Sequence, residues 1–290
     1  MSTPKNEGGL LQAAVIGNPV SQSLSPLMHG HWFESLSLEG RYQAVEVQPD
    51  DLRSVMERFQ SEGYDGFNVT VPYKTAIVPL LDKLTPLARE MGAVNTVKFN
   101  PNGTATGINT DGIGFLKHLK DTAPQRPTDK PVVILGAGGA ARAAALALLN
   151  DGASMIMISN RTRAKAEAVA TEVGRGRIMV VDWEERSTAA GAAGLIVNTT
   201  ALGMVGQPTL EIDLNGAASD TVVYDIVYKP LNTLLLKAAN KRGLKTVDGL
   251  GMLVHQGAAA FKLWFGHDVG YDDALRQKLL AVLGEDRDGS

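Results

Sequence analysis

The chain has 290 residues, of which 44% are hydrophobic and 20% charged, an ordinary globular balance in a chain long enough for two domains. A formal net charge of −3 gives no basic field for nucleic acid, no apolar run reaches the ~18 residues that span a bilayer, and the opening MSTPKNEGG lacks the apolar core of a secretory signal. The expectation is a cytoplasmic protein with a small-molecule partner, no nucleic acid and no membrane. With no cysteine and no HExxH among its five histidines, the chain offers no disulfide, no thiol nucleophile and no familiar metal-binding pattern, so no metal is expected.

Short β-branched runs alternate with helical patterns from the start: AAVIG (13–17), a helix from Pro26, YQAVEV (42–47), a helix from Asp51, and FNVTV (67–71). This is βαβ syntax and predicts parallel strands. TVKF (96–99) and TATGI (104–108) follow, then a helix from Thr110-Asp111, and the Pro- and Thr-rich stretch 120–131 reads as a loop at a domain boundary. A second alternation runs through VVILG (132–136), MIMIS (155–159), IMVV (178–181), GLIVN (194–198), VVYDIV (222–227) and KTV (245–247). From Gly249 the chain reads as helical and is expected to pack back on the first domain.

VVILGAGGAARAAALALL places Gly136, Gly138 and Ala141 after a strand and at the opening of an alanine-rich helix, the GxGxxA form of a dinucleotide-binding turn. Gly136 permits the tight turn, Gly138 lets backbone N–H groups approach a pyrophosphate, and Ala141 lets the helix lie close to the strand. At the tip of the next strand, where an acidic residue would take the ribose hydroxyl of NAD, the chain has Asn160, Arg161 and Thr162, with Arg163 and Lys165 near. A guanidinium matches a phosphate, so the cofactor expected is NADP with Arg161 on its 2′-phosphate; the competing reading is a solvated helix start.

In GNPVSQSLSPLMHG, Ser25 precedes Pro26 and reads as an N-cap, while Ser23 and Ser25 also place two hydroxyls where a small carboxylate could bind. Thr70 and Lys74 lie at the carboxyl end of a strand, where open parallel sheets bind ligands. Asn95 in GAVNTV and Asp111 in GINTDGIG sit among small residues beside short strands, and each is equally readable as a turn-former or cap. Hydride transfer to a carbonyl needs a proton donor, and with no Tyr-x-x-x-Lys and no cysteine-bound zinc, Lys74 is the remaining cation at a strand end.

Taken in order, GNPVSQSLSP, GFNVTVPYK, GAVNT, NTDG, GAGGAAR, NRT and DGLGMLVHQGAAAF resemble the shikimate dehydrogenase family over nearly the whole chain. The resemblance implies an α/β protein with a substrate-binding domain (1–110), a Rossmann-type NADP-binding domain (111–248) and C-terminal helices (249–290) completing the first. It implies reversible NADPH-dependent reduction of 3-dehydroshikimate to shikimate, with Lys74 and Asp111 as the catalytic pair. Ser23 and Ser25 would hold the substrate carboxylate, with Tyr228 near it, and Thr70, Lys74, Asn95, Asp111 and Gln256 would contact the ring hydroxyls. The cofactor would lie on Gly136, Ala137, Gly138, Gly139 and Ala140, on Asn160, Arg161, Thr162 and Lys165, along Thr199, Gly203 and Met204, and by Gly249 and Gly251. The stretch 203–213 departs from the family's proline-rich loop. Two other readings stay open: a quinate-oxidising relative, against which Ser25 and Arg161 speak, and a catalytically silent NADP-binding regulator. A homodimer through an edge strand is a further expectation.

Overall fold

The computed structural model describes residues 10–284. The chain divides into two compact units, one formed by the chain up to Thr110 with Gln256–Val282, the other by Asp111–His255 and the chain from Leu283.

The first unit contains β1 (Leu11–Gly17), α1 (Ser25–Ser35), β2 (Gly40–Glu46), α2 (Leu52–Ser61), β3 (Gly66–Val69), β4 (Lys83–Leu84), α3 (Pro86–Met91), β5 (Thr96–Phe99) and β6 (Ala105–Ile108). They form one sheet in the order β2-β1-β3-β5-β6-β4. β2, β1 and β3 are parallel, as the alternation predicts. β5, however, runs antiparallel to both β3 and β6, so the sheet is mixed. For the β5–β6 pair the reason is the length of the connection: the two are joined by a tight turn closed by Asn100 N–H on Thr104 O at 2.8 Å, whereas a parallel pair needs a crossover of about a dozen residues. β4 and α3, two and six residues long, are too short to show a period in the sequence.

The core of this unit gathers Phe59, Phe67, Val69, Ile77, Val94 and Val97. Removing each such side chain from water contributes roughly 1.5–3 kcal/mol. α1 starts at Ser25 itself, with Leu24 as its flanking residue and no side-chain cap. The expected cap is therefore displaced: Ser23 Oγ accepts the Ser25 N–H at 3.3 Å, and the Ser25 hydroxyl is not consumed at the helix end.

The second unit opens with α4 (Asp111–Thr122), then β7 (Val132–Leu135), α5 (Gly139–Asn150), β8 (Ile156–Ser159), α6 (Arg163–Val173), β9 (Ile178–Val181), α7 (Arg186–Ala192), β10 (Leu195–Asn198), β11 (Val222–Asp225), α8 (Leu234–Lys241) and β12 (Lys245–Val247). All six strands are parallel, in the order β12-β11-β10-β7-β8-β9. The chain winds outward from β7 in one direction and then from β10 in the other, which is the doubly wound Rossmann order. Every residue of β7, β8, β10 and β11 is buried, which is why these strands read as continuous apolar runs. The 120–131 stretch connects α4 to β7 inside this unit instead of marking a boundary, because α4 lies against α5: a Cβ on Gly112 would stand 3.1 Å from the Ala143 carbonyl.

α9 (Leu250–Phe265) gives Leu250–His255 to the second unit and continues from Gln256 in the first, followed by α10 (Asp273–Leu283). Within the first unit, Trp264 Nε1–H donates to Val97 O at 2.9 Å and Trp32 Nε1–H to Gly270 O at 3.0 Å. These bonds fasten the C-terminal segment to the sheet and to α1, as expected.

Candidate active site

In the first unit the candidate residues cluster where β3 ends. β3 stops at Val69, Thr70 N–H donates to Ile16 O at 2.9 Å, and a turn closed by Tyr73 N–H on Thr70 O carries the chain to Lys74. Lys74 is half-buried, and its carbonyl accepts the Val94 N–H at 2.8 Å, tying it to the segment that delivers Asn95. Asn95 itself is 2% exposed. Its Oδ1 accepts from the Thr110 N–H at 2.8 Å, from Thr96 Oγ1 at 2.9 Å and from Thr110 Oγ1 at 3.2 Å. Its Nδ2 donates to Gln256 Oε1 at 3.3 Å and to Thr110 Oγ1 at 3.0 Å. An amide whose oxygen faces three donors cannot flip without placing donor against donor, so the orientations of Asn95 and Gln256 are set by the fold.

The same network extends to residues the sequence reading passed over. Asn68 Nδ2 donates to Thr96 Oγ1 at 3.0 Å and to the Asn95 carbonyl at 3.1 Å, and Tyr42 O–H donates to Asn68 Oδ1 at 2.7 Å. Ser25 also hydrogen-bonds the Tyr42 phenol, whose pKa burial raises well above that of an ordinary tyrosine. One signal for Asn68 was available: a polar residue inside an apolar strand, two before Thr70 and so on the same face. Nothing comparable marks Tyr42. Its ring stacks on that of His29 at 3.8 Å with 5° between the planes.

In the second unit Asp111 is the first residue of α4, 8% exposed, where its carboxylate meets the positive end of the helix. Tyr228 is half-buried, and burial raises its pKa. The glycine-rich turn joins β7 to α5. Gly136 has φ +111°, and a Cβ there would stand 2.6 Å from Thr199 Oγ1, so only glycine fits. Gly138 and Gly139 differ: a Cβ on either would meet nothing within 4 Å, leaving space in front of the α5 N-terminus. That terminus has no side-chain cap and no acidic residue in its first turn, as an anion site requires.

At the end of β8, Asn160 Nδ2 donates to Thr162 O at 2.9 Å. Arg163 is ion-paired with Glu167 at 2.9 Å and Asp182 at 2.5 Å. Arg161 is exposed and has no side-chain partner among the described residues, so of the two guanidiniums it is the one available to a phosphate. Lys165 is exposed beside it. Thr199 Oγ1–H donates to Leu135 O at 2.7 Å, holding the segment that leads to Gly203 and Met204 against the turn. Gly249 and Gly251 are packing glycines in this unit: a Cβ on Gly249 would stand 2.2 Å from Ile226 O, and one on Gly251 2.0 Å from His118 Nδ1. Among the described residues no group of acidic or histidine side chains could hold a metal, and no helix is long and apolar enough to cross a membrane.

Three family models match the chain: the shikimate dehydrogenase substrate binding domain over residues 15–97, shikimate / quinate 5-dehydrogenase over 119–226, and the shikimate 5′-dehydrogenase C-terminal domain over 249–277. The NADP(+) shikimate dehydrogenase of Roseobacter denitrificans is 45% identical over 273 residues, 94% of this chain and 97% of that protein. That of Paramagnetospirillum magneticum is 45% identical, over 93% of this chain and 98% of its own. Among solved structures, the Thermus thermophilus shikimate 5-dehydrogenase in complex with NADP(H) and shikimate superposes with a TM-score of 0.81 at 39% identity, covering 90% of this chain and 95% of that one. The quinate dehydrogenase of Corynebacterium glutamicum in complex with NAD superposes with a TM-score of 0.87 at 32% identity, covering 94% and 99%. With a mixed-sheet unit, a doubly wound unit and end-to-end identity of this order, the chain belongs to the shikimate dehydrogenase family.

Proposed function

We propose that this protein catalyses the NADP-dependent interconversion of 3-dehydroshikimate and shikimate. The observation that carries the reading is the buried network that fixes the Asn95 and Gln256 amides beside the strand end bearing Lys74. Preset amides at a strand end suit a ligand with several hydroxyls, because orienting them costs nothing at binding.

On this reading Ser23 and Ser25 hold the substrate carboxylate, with Tyr228 near it, and Thr70, Lys74, Asn95, Asp111 and Gln256 contact ring hydroxyls. The Lys74 ammonium gives its proton to the carbonyl oxygen in the reducing direction and takes it from the hydroxyl in the reverse. Asp111 is the other member of the proposed catalytic pair. The open space over Gly138 and Gly139 and the unpaired guanidinium of Arg161 fit a dinucleotide with a 2′-phosphate. Gly136 through Ala140 would hold its pyrophosphate, Asn160 to Thr162 and Lys165 its adenosine phosphate, and Thr199, Gly203, Met204, Gly249 and Gly251 its remaining length. When bound, the reduced cofactor supplies the hydride.

Names of relatives favour shikimate with NADP over quinate with NAD, since the former are the more similar in sequence. The two domain roles, substrate binding by 1–110 with the C-terminal helices and cofactor binding by the Rossmann-type unit, follow from the same reading. So do cytoplasmic residence and a homodimer through an edge strand such as β2, whose outer edge is unpaired among the described residues; light scattering giving a monomer mass would remove the dimer.

The test is growth of NADPH absorbance when purified protein meets NADP and shikimate, run beside quinate, NAD and a Lys74→Ala variant. Turnover of shikimate with NADP, abolished in the variant while both ligands still bind, supports the reading. Faster turnover of quinate with NAD would make it a quinate dehydrogenase, and cofactor binding without any turnover would make it a silent regulator.

A further inference from the structure

At the carboxyl end of β11 the side chain of Asp225 is fully buried, and no cation pairs with it among the described residues. A carboxylate in such a place is costly, and burial pushes its pKa up to about 6. What it has instead of a cation is a set of donors. Oδ1 accepts from Asn198 Nδ2 at 2.9 Å and from the Val227 N–H at 3.0 Å, and Oδ2 accepts from Thr233 Oγ1 at 2.7 Å.

Asn198 ends β10, fully buried and directly in register with Asp225. Its own Oδ1 accepts from the Thr200 N–H at 3.0 Å and Thr200 Oγ1 at 2.7 Å, while its Nδ2 also reaches Leu202 O at 3.2 Å. The amide is therefore a connector between the carboxylate and the loop after β10. That loop leans on the glycine-rich turn: Thr199 donates twice to Leu135 O, from N–H at 2.8 Å and from Oγ1 at 2.7 Å.

An ionised carboxylate only accepts hydrogen bonds, and that is the property this arrangement uses. An asparagine at 225 could keep its Oδ1 toward Asn198 and Val227 and set its NH2 against Thr233 Oγ1, whose hydroxyl can turn to accept. An alanine removes the acceptor altogether and leaves the Asn198 NH2 and the Val227 N–H without it.

We infer that Asp225 is a positioning residue for the cofactor: as an acceptor-only group it fixes the Asn198 amide, which holds the Thr199–Leu202 loop against the Gly136 turn. The inference rests on the dinucleotide reading of that turn. Asp225 touches no reacting atom and acts through Asn198.

The experiment compares full-length wild type with Asp225→Ala, Asn198→Ala and Thr233→Val, measuring NADP binding by calorimetry and steady-state kinetics with NADP and shikimate. Asp225→Ala and Asn198→Ala both raise the NADP Kd and KM about tenfold, the loss of roughly one ordered contact, with kcat and the shikimate KM within about twofold of wild type. Thr233→Val removes a donor from the same carboxylate but leaves Asn198 held; it lowers the melting temperature and leaves the NADP Kd alone. Should Asp225→Ala fail to fold, Asn198→Ala carries the test, since Asp225 there keeps its two other donors. An unchanged NADP Kd in Asn198→Ala, or an equal rise in Thr233→Val, overturns the inference while leaving the cofactor reading intact. Wild-type protein that binds neither NADP nor NAD overturns both.

Discussion

Replacing His29 by phenylalanine should remove a large part of the protein's sensitivity to acid. His29 is fully buried on α1, stacked on Tyr42 at 3.8 Å, edge-on to Trp32 at 5.0 Å, and within 5.7 Å and 5.8 Å of the Phe261 and Trp264 rings. Neither ring nitrogen has a hydrogen-bond partner among the described residues. Burial alone lowers its pKa from 6.5 to about 3. The folded state thus refuses a proton that the unfolded chain accepts, and stability present above pH 6.5 is lost as the pH falls toward 3. At pH 5 the loss from this one residue is about 2 kcal/mol, 1.5 units at ~1.36 kcal/mol each. His255, lowered to about 4 chiefly by burial, adds a second proton of the same sign over part of this range, while Asp225, raised to about 6, acts oppositely as the pH falls through 6. Phenylalanine keeps the aromatic box and cannot titrate. The assay is urea unfolding at pH 7.5 and pH 5, followed by the fluorescence of Trp32 and Trp264 in the same unit. The variant should lose about 2 kcal/mol less than wild type between the two pH values. Any cost of fitting the larger ring shifts both values equally and leaves this difference alone. Equal losses would refute the reasoning, because they would mean that His29 is protonated in the folded state.

Tyr224→Phe should stabilise the protein, since the Tyr224 hydroxyl is buried without a partner among the described residues while its ring stacks on Phe115 at 4.8 Å and 9°. The expected gain is about 1 kcal/mol, read as a rise in melting temperature of a few degrees, and a fall would reveal a partner for the hydroxyl. Arg161→Ala should weaken NADP binding and leave NAD binding unchanged, measured by calorimetry. Arg163→Ala, whose guanidinium is already engaged by Glu167 and Asp182, should leave the NADP preference in place.

The second unit was the more legible in sequence, because strands buried on both faces must be apolar throughout, and β7, β8, β10 and β11 are. Strand direction was not legible in the first unit: TVKF looks the same whether it runs with its neighbour or against it, and only the tight Asn100–Thr104 turn decides. Ser25 illustrates a finer limit. Its position before proline was readable, but the one-residue shift that makes Ser23 the acceptor depends on how the chain leaves β1.

The polar networks were the least legible part, for a reason that also explains why they matter. Tyr42 and Asn68 are 26 residues apart and meet only because β1 lies between their strands, with Ala13 in register with Tyr42 on one side and with Gly66 on the other. Asn198 and Asp225 are 27 apart and meet because β10 and β11 align them side by side. Asn68, Asn198 and Asp225, each a polar residue in a buried apolar strand, look like defects until register supplies their partners. A slip of one residue in either pairing would turn every such group to the opposite face and leave it buried without a partner. The networks therefore select the register that builds the site, so the same residues serve both fold and function. This also accounts for the difference between Tyr42 and Tyr224: one hydroxyl joins a network and the other does not, and only the first should be costly to remove.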